Sequence, residues 1–407
     1  MNTVSMSSIN KSLVFFFILF IHPLGQLAID IYLPSLPAMV LALNSTKEAM
    51  QTSLTIYMFG MSISTLLYGI LSDRFGRRKI LLMGLLIFLL SSIGCSLAPS
   101  EGLLLFFRFL QGVGVGGTAT VAFAIMVDVF TGPKELVRVT SYAIIVYSFT
   151  PIVAPFIGGY IQYYLGWRAN FIFMVVYAVI LFLSLWKLLP ETNKFLNKDA
   201  TNVKNLIKNI TGMLSCWRYV AFVICTMTSY AVMITFNVMA PFILQSALAL
   251  NAIQYGRAAL MVGIAYVIGN SINTYLVRKF DSIRLIIVGF IIVILGALSL
   301  FIITKYIALN LWTVLLPICI AIAGTGLVFP NSMSGALSIF PQKAGLASSL
   351  ISCLSLLGCS LVSAVASYLK VYNALPLAYM FLALGIAGSL MYLVAVSTTN
   401  EPKDSTT

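Results

Sequence analysis

Charge is scarce in this chain. Of its 407 residues 9% are Asp, Glu, Lys or Arg, while 60% are hydrophobic. A soluble domain carries about a quarter charged residues. The scarcity excludes a soluble fold of this size, because no core hides so much apolar surface from water, and it makes lipid the solvent. Histidine is scarcer still, with His22 alone. The six cysteines, at 95, 216, 225, 319, 353 and 359, fall mostly in apolar runs and form no CxxC. They read as small buried hydrophobes, and no Cys/His cluster to bind a metal is expected. GxxxxGK[ST] is missing, which argues against ATP hydrolysis. No paired carboxylates or nucleophile triad mark an enzyme.

Long apolar runs are abundant. A membrane span needs about 20 predominantly apolar residues. Runs of that kind lie near residues 12–33, 50–71, 80–98, 103–127, 138–162 and 169–189, and again near 217–245, 254–277, 283–303, 310–337, 343–369 and 375–396. The first is long enough to span and lacks an A-x-A site, so removal as a signal peptide is not expected. Twelve is even, so both termini share a side. If that side is cytoplasmic, 18 of the 24 basic residues fall there. Only Lys47, Arg168, Lys305 and Lys370 fall opposite, and Arg108 and Arg257 lie within spans. The asymmetry orients the chain, and it explains the +13 net charge without recourse to nucleic acid.

One long polar stretch, residues 190–216, divides the spans six and six. It reads as a cytoplasmic linker, with an amphipathic piece at 203–210 suited to lying on the membrane surface. The expected domains are therefore 1–189, the linker, 217–396 and a short cytoplasmic tail, 397–407. A weak repeat relates the halves. Asp73-Arg74-Phe75-Gly76-Arg77-Arg78-Lys79 follows the second span, and Arg278-Lys279-Phe280-Asp281-Ser282-Ile283-Arg284 follows the eighth. Parallel six-span repeats characterise one large transporter architecture.

The stretch Gly69-Ile-Leu-Ser-Asp73-Arg74-Phe-Gly76-Arg77-Arg78-Lys79 resembles the major facilitator loop signature, in the loop where that superfamily carries it. Within the superfamily the drug:proton antiporter branch fits best, and especially its Bcr/CflA subgroup. Asp30-Ile-Tyr-Leu-Pro34-Ser-Leu-Pro37 is similar to that subgroup's D-m-Y-L-P-a-l-P. Arg108-Phe-Leu-Gln111-Gly112 resembles R-x-x-q-G. Pro151-Ile-Val-Ala-Pro155-Phe-Ile-Gly158-Gly159 resembles the antiporter motif, and Gly166-Trp167-Arg168 opens the sixth span as in the subgroup. The chain departs from the pattern at Ala154 and Thr150, where glycines are usual, and at Val127-Asp128, where Arg-Asp is usual. The implied fold is all-α and polytopic, with twelve transmembrane helices in two six-helix pseudo-repeat bundles around a central cavity.

The residues offer a chemistry of their own. Asp30 is the one carboxylate well inside an apolar run. An ionised carboxylate there costs several kcal/mol, so the group is suited to taking up and releasing a proton. The competing reading is a carboxylate that caps or pairs near the end of a span. His22, Gln26 and Asp30 recur at i, i+4 and i+8, on one helical face. His22 is either a second proton or substrate site or a hydrogen-bonded packing residue beside a Pro23 kink. Arg108 stays charged. The resemblance implies that it adjusts proton affinity at the carboxylate, with Gln111 in the same network, and a static ion pair is the alternative. Asp73, Arg74, Gly76, Arg77 and Arg78 form a cytoplasmic cluster that either orients the chain or, with Arg77 reaching Asp128, acts as a conformational latch. Pro151, Pro155, Gly158 and Gly159 bend the fifth span and admit close helix approach. Tyr230, Phe236 and Asn237 are candidates for the cavity wall.

These readings combine into an expectation. The chain is a secondary transporter in the bacterial inner membrane, with both termini cytoplasmic and no cofactor but the coupling proton. It exports small lipophilic molecules by proton antiport and alternating access, and a monomer is expected. A dedicated exporter of an endogenous metabolite or siderophore, an uptake symporter and a non-transporting membrane sensor are the rival readings. The sensor reading calls for a soluble domain for which the tails leave no room.

Overall fold

A computed structural model describes residues 11–193, 196 and 203–397. The tails and the middle of the linker, with Lys194, Lys198 and Lys403, lie outside the described residues. The described chain is helical, with twelve helical stretches long and apolar enough to cross a membrane. Large apolar side chains such as Leu90, Ile180, Leu295 and Leu361 are exposed, while Gln26, Asp30, Arg108, Gln111, Asn170 and Asn331 are buried. Polar-in, apolar-out packing is stable only where the surroundings are hydrocarbon.

The chain divides into two compact units. The first runs to residue 202 and also takes in Leu250–Leu260. Its opening span is broken. Helix α1 (Lys11–Ile21) stops at His22-Pro23, α2 (Leu24–Asp30) follows, a 3-10 turn covers Leu33–Ser35, and α3 (Leu36–Ala42) completes the span. The sequence expectation of one continuous face through His22, Gln26 and Asp30 therefore needs correction. Pro23 has no N–H to continue the α1 ladder, so only Gln26 and Asp30 share a helix and His22 sits at the break. Tyr177 donates its hydroxyl to the Phe20 carbonyl at 2.8 Å beside this break.

The second span, α4 (Lys47–Phe75), starts at Thr46, whose hydroxyl accepts from the Ala49 N–H at 3.1 Å. It ends at Gly76, whose φ of 99° only glycine adopts readily. Then come α5 (Arg77–Leu97), α6 (Glu101–Val115) and α7 (Thr118–Val129), α8 (Pro133–Leu165) and α9 (Trp167–Leu188). Helices α6 and α7 make one span, interrupted at Gly116-Gly117. There α4 lies so close that a Cβ on Gly112 would overlap the Tyr57 carbonyl oxygen. The gap is closed by polar contacts: Thr65 Oγ1 donates to the Gly116 carbonyl at 2.7 Å.

The second unit holds residues 203–249 and those from Met261 on. Its elements are α10 (Val203–Leu214), α11 (Trp217–Pro241) with a π-helical end at Phe242–Ala247, the greater part of α12 (Ala252–Leu276), α13 (Ser282–Tyr306), α14 (Leu311–Ile339), α15 (Ala344–Tyr368) and α16 (Leu375–Ser397). One core cluster of this unit gathers Tyr219, Phe222, Phe290, Val328 and Leu350. The amphipathic piece of the linker is a helix, α10, that extends beyond residue 210 and packs Ile210 and Met213 into this core. In this division the first turns of α12 cluster with the first unit.

Candidate functional site

The first unit collects most of the polar residues singled out from the sequence. Asp30 ends α2 and is 1% exposed. One turn back, Gln26 donates its Nε2 hydrogen to Asp30 Oδ2 at 2.7 Å. Tyr147 of α8 donates to Gln26 Oε1 at 3.4 Å, and the His22 ring lies 5.2 Å from the Tyr147 ring. His22, Gln26 and Asp30 thus form one connected group, though joined through Tyr147 and not along a straight helix. Gly25, between them, offers its carbonyl to the Tyr57 hydroxyl at 2.9 Å.

Arg108 on α6 has no exposed surface. Its Nη1 donates to Gln111 Oε1 at 2.5 Å and to the Ala28 carbonyl at 3.3 Å, which ties α6 to the helix that carries Asp30. Gln111 in turn donates to Ser92 Oγ at 2.8 Å. Arg108 and Gln111 therefore stand in one network, two residues along the backbone from Asp30.

A second cluster lies where α4 ends, α5 begins and α7 ends. Arg77 Nη1 is 2.5 Å from Asp73 Oδ1 and 2.7 Å from Ser72 Oγ, and Arg77 Nε is 3.3 Å from Asp128 Oδ2. Arg74 lies 5.2 Å from the Phe75 ring. Arg78 donates to the Trp186 carbonyl.

Sequence reasoning missed the piece that ties this cluster together. Just past α9, Glu191 accepts the Arg77 N–H at 2.9 Å and the Arg78 N–H at 3.1 Å, and so caps the positive end of α5. Thr192 donates to Asp128 at 3.3 Å, and Asn193 donates to the Asp73 carbonyl at 3.2 Å. The only signal was a polar Pro-Glu-Thr-Asn run directly after a long apolar one. Glu191→Ala removes a side-chain cap of the kind worth about 0.5–2 kcal/mol. The expected result is a lower thermal unfolding midpoint in detergent, with Glu191→Gln intermediate. An unchanged midpoint in both would remove the cap from the account.

The proline-glycine segment also belongs to the first unit. Pro151 and Pro155 each delete a rung of the α8 ladder. Gly158 faces the residue after Asp30: a Cβ there would overlap the Ile31 carbonyl oxygen. Asn170 of α9 secures the crossing, donating to Ser35 Oγ at 2.8 Å and to the Gly158 carbonyl at 3.3 Å. Gly159 faces the start of α12, where a Cβ would come 2.5 Å from the Ala252 carbonyl oxygen. Tyr230, Phe236 and Asn237 are on α11 of the second unit. Phe236 and Asn237 are buried, and the Tyr230 ring is 6.2 Å from the Phe329 ring.

Twelve helical stretches fit to cross a membrane among the described residues, with a carboxylate and a guanidinium buried in the first unit, are the marks of a multi-pass membrane transporter. The Major Facilitator Superfamily pattern matches residues 15–363, and the chain belongs to that family. It is 24% identical over 386 residues to a bicyclomycin resistance protein homolog of Haemophilus influenzae, covering 94% of this chain and 96% of that one. It is 28% identical to multidrug resistance protein MdtL of a Shewanella species, with 95% of each chain covered. Among solved structures, that of a D-xylose-proton symporter superposes with a TM-score of 0.74 at 19% identity, over 96% of this chain and 99% of that one. At that identity the likeness is one of fold.

Proposed function

We propose that the chain exports small, lipophilic, drug-like molecules across the bacterial inner membrane in exchange for protons, with both termini cytoplasmic. The observation that carries the reading is Asp30, a carboxylate buried in the broken first span and held by Gln26. A carboxylate buried within a span is the kind of group through which proton binding is coupled to occupancy and conformation. Relatives named for drug resistance support export over uptake. In the cycle, a proton from outside neutralises Asp30, cargo leaves, and the helices rock to reopen the site inward. Arg108 and Gln111 set the local field, and His22 adjoins the site through Tyr147. The Asp73–Arg77–Asp128 cluster, with Arg74, Gly76 and Arg78 around it, latches one state. The α8 segment from Pro151 to Gly159 supplies a shaped hinge. Tyr230, Phe236 and Asn237 contribute substrate-facing surface. No cofactor is required, and a monomer suffices.

The test is transport into inverted membrane vesicles with a panel of lipophilic drugs. Uptake that generates proton efflux and collapses with an uncoupler is the expected result. Uptake indifferent to the uncoupler would overturn proton coupling. Protons moving in the same direction as the substrate would make the chain a symporter.

A further inference from the structure

A guanidinium withdrawn from water usually demands a paired carboxylate, because an uncompensated buried charge costs several kcal/mol. Arg108 is fully buried, yet its guanidinium stands over two aromatic rings. Its Cζ stands 4.3 Å from the centroid of the Tyr32 ring and 4.2 Å from that of the Tyr57 ring. The rings come from different spans, Tyr32 from the turn after α2 and Tyr57 from α4. Both are buried, and both are pinned through their hydroxyls. Tyr32 Oη and Ser53 Oγ are 3.0 Å apart, and Tyr57 donates to the Gly25 carbonyl. The guanidinium edge that carries Nη1 is spent on Ala28 and Gln111. Nε and Nη2 are buried without a hydrogen-bond partner. A desolvated cation over a ring face gains about 2 kcal/mol or more.

We propose that Tyr32 and Tyr57 are positioning residues of the exchange site, acting as an aromatic clamp that compensates the Arg108 charge in place of Asp30. The clamp holds the cation near the carboxylate without making the carboxylate its fixed counter-ion, so Asp30 keeps its capacity to exchange a proton. The proposal rests on the reading of Asp30 given above. The titratable and charged groups facing the pair are few. Tyr32 and Tyr57 flank Arg108, and Cys95 of α5 lies within its electrostatic reach. Tyr57 and Tyr255 of α12 lie within reach of Asp30, and Tyr147 with His22 adjoins it through Gln26.

The experiment measures the pH profile of proton-linked exchange by the full chain in proteoliposomes, with thermal unfolding as the check on folding. Tyr57→Phe and Tyr57→Trp keep a ring face and should keep the parent profile. Tyr57→Leu and Tyr32→Leu remove one face. The cation then turns to Asp30, and the pH profile of exchange moves away from the parent's by about 1 unit or more. Folded Leu variants with the parent profile overturn the clamp, and so does a Phe variant that shifts as far as Leu. If the Leu variants do not fold, replacement of Tyr57 by pentafluorophenylalanine preserves the shape and reverses the ring's polarity. It must then shift the profile, and a parent-like profile overturns the proposal. A parent protein with no proton-linked exchange instead overturns the exchange reading itself, and the clamp with it.

Discussion

Asp30→Asn should accumulate no substrate against a gradient while inserting, folding and exchanging substrate for substrate much as the parent does. The side chains are nearly isosteric, and the amide oxygen of Asn still accepts from Gln26 Nε2, whose bond to Asp30 is 2.7 Å. What disappears is the ability to carry a proton. One pH unit across the membrane is worth about 1.4 kcal/mol per proton, enough for roughly tenfold accumulation in a one-proton cycle. The expected drop is from that ratio to unity. Among the described residues the other carboxylates on helices, and Asp281 at the start of α13, lie towards helix ends. Glu48 and Glu101 open α4 and α6, Asp73 and Asp128 lie near the far ends of α4 and α7, and Glu135 lies in the first turn of α8. Gradient-driven accumulation by the variant would move coupling away from Asp30, with His22 the next group to examine.

The second large effect is structural. Gly158→Val places a branched side chain where even a Cβ overlaps the Ile31 carbonyl oxygen, one residue past Asp30. Neither partner yields cheaply, because the obstacle is backbone and Asn170 fastens Gly158 and Ser35 together. Overpacking ordinarily costs about 1–3 kcal/mol, and a backbone clash belongs at or above the top of that range. The expected result is a sharp fall in the thermal unfolding midpoint in detergent and loss of transport. Gly212→Ala is the control. It lies in α10 with open space around it, so it should be neutral or stabilising by up to about 1 kcal/mol. If Gly158→Val matches that control, the close approach of α8 to the first span has no energetic importance.

Much of the fold was legible in the sequence because lipid imposes a coarse rule. Backbone groups in hydrocarbon must bond within their own helix, so a run of about 20 apolar residues has essentially one structure available. Residues 217–245 and 310–337 needed no further information to be read as spans. The ends were less legible. Helix α4 begins at Lys47 and α5 at Arg77, where polar residues carry the helix past the apolar run. The break at His22-Pro23 was marked by the proline. Its consequence, that His22 reaches Gln26 and Asp30 through Tyr147, was not, because Tyr147 comes from a span more than a hundred residues away.

The site divides along the same line. Asp30 and Arg108 stand out from sequence alone, since a charge inside an apolar run is costly and therefore conspicuous. Their surroundings do not stand out. Tyr32 and Tyr57 are two of 19 tyrosines, and only packing puts their faces on the guanidinium. Glu191 resembles any acid at the end of a span until the chain folds back and sets its carboxylate on the first N–H groups of α5. The sequence by itself determined how many helices cross the membrane and which groups carry charge inside it, because burial of apolar surface and the cost of isolated charge are properties of single segments. Tertiary structure alone decided what each charge faces, because ring faces, helix ends and close glycine crossings arise only when distant segments meet.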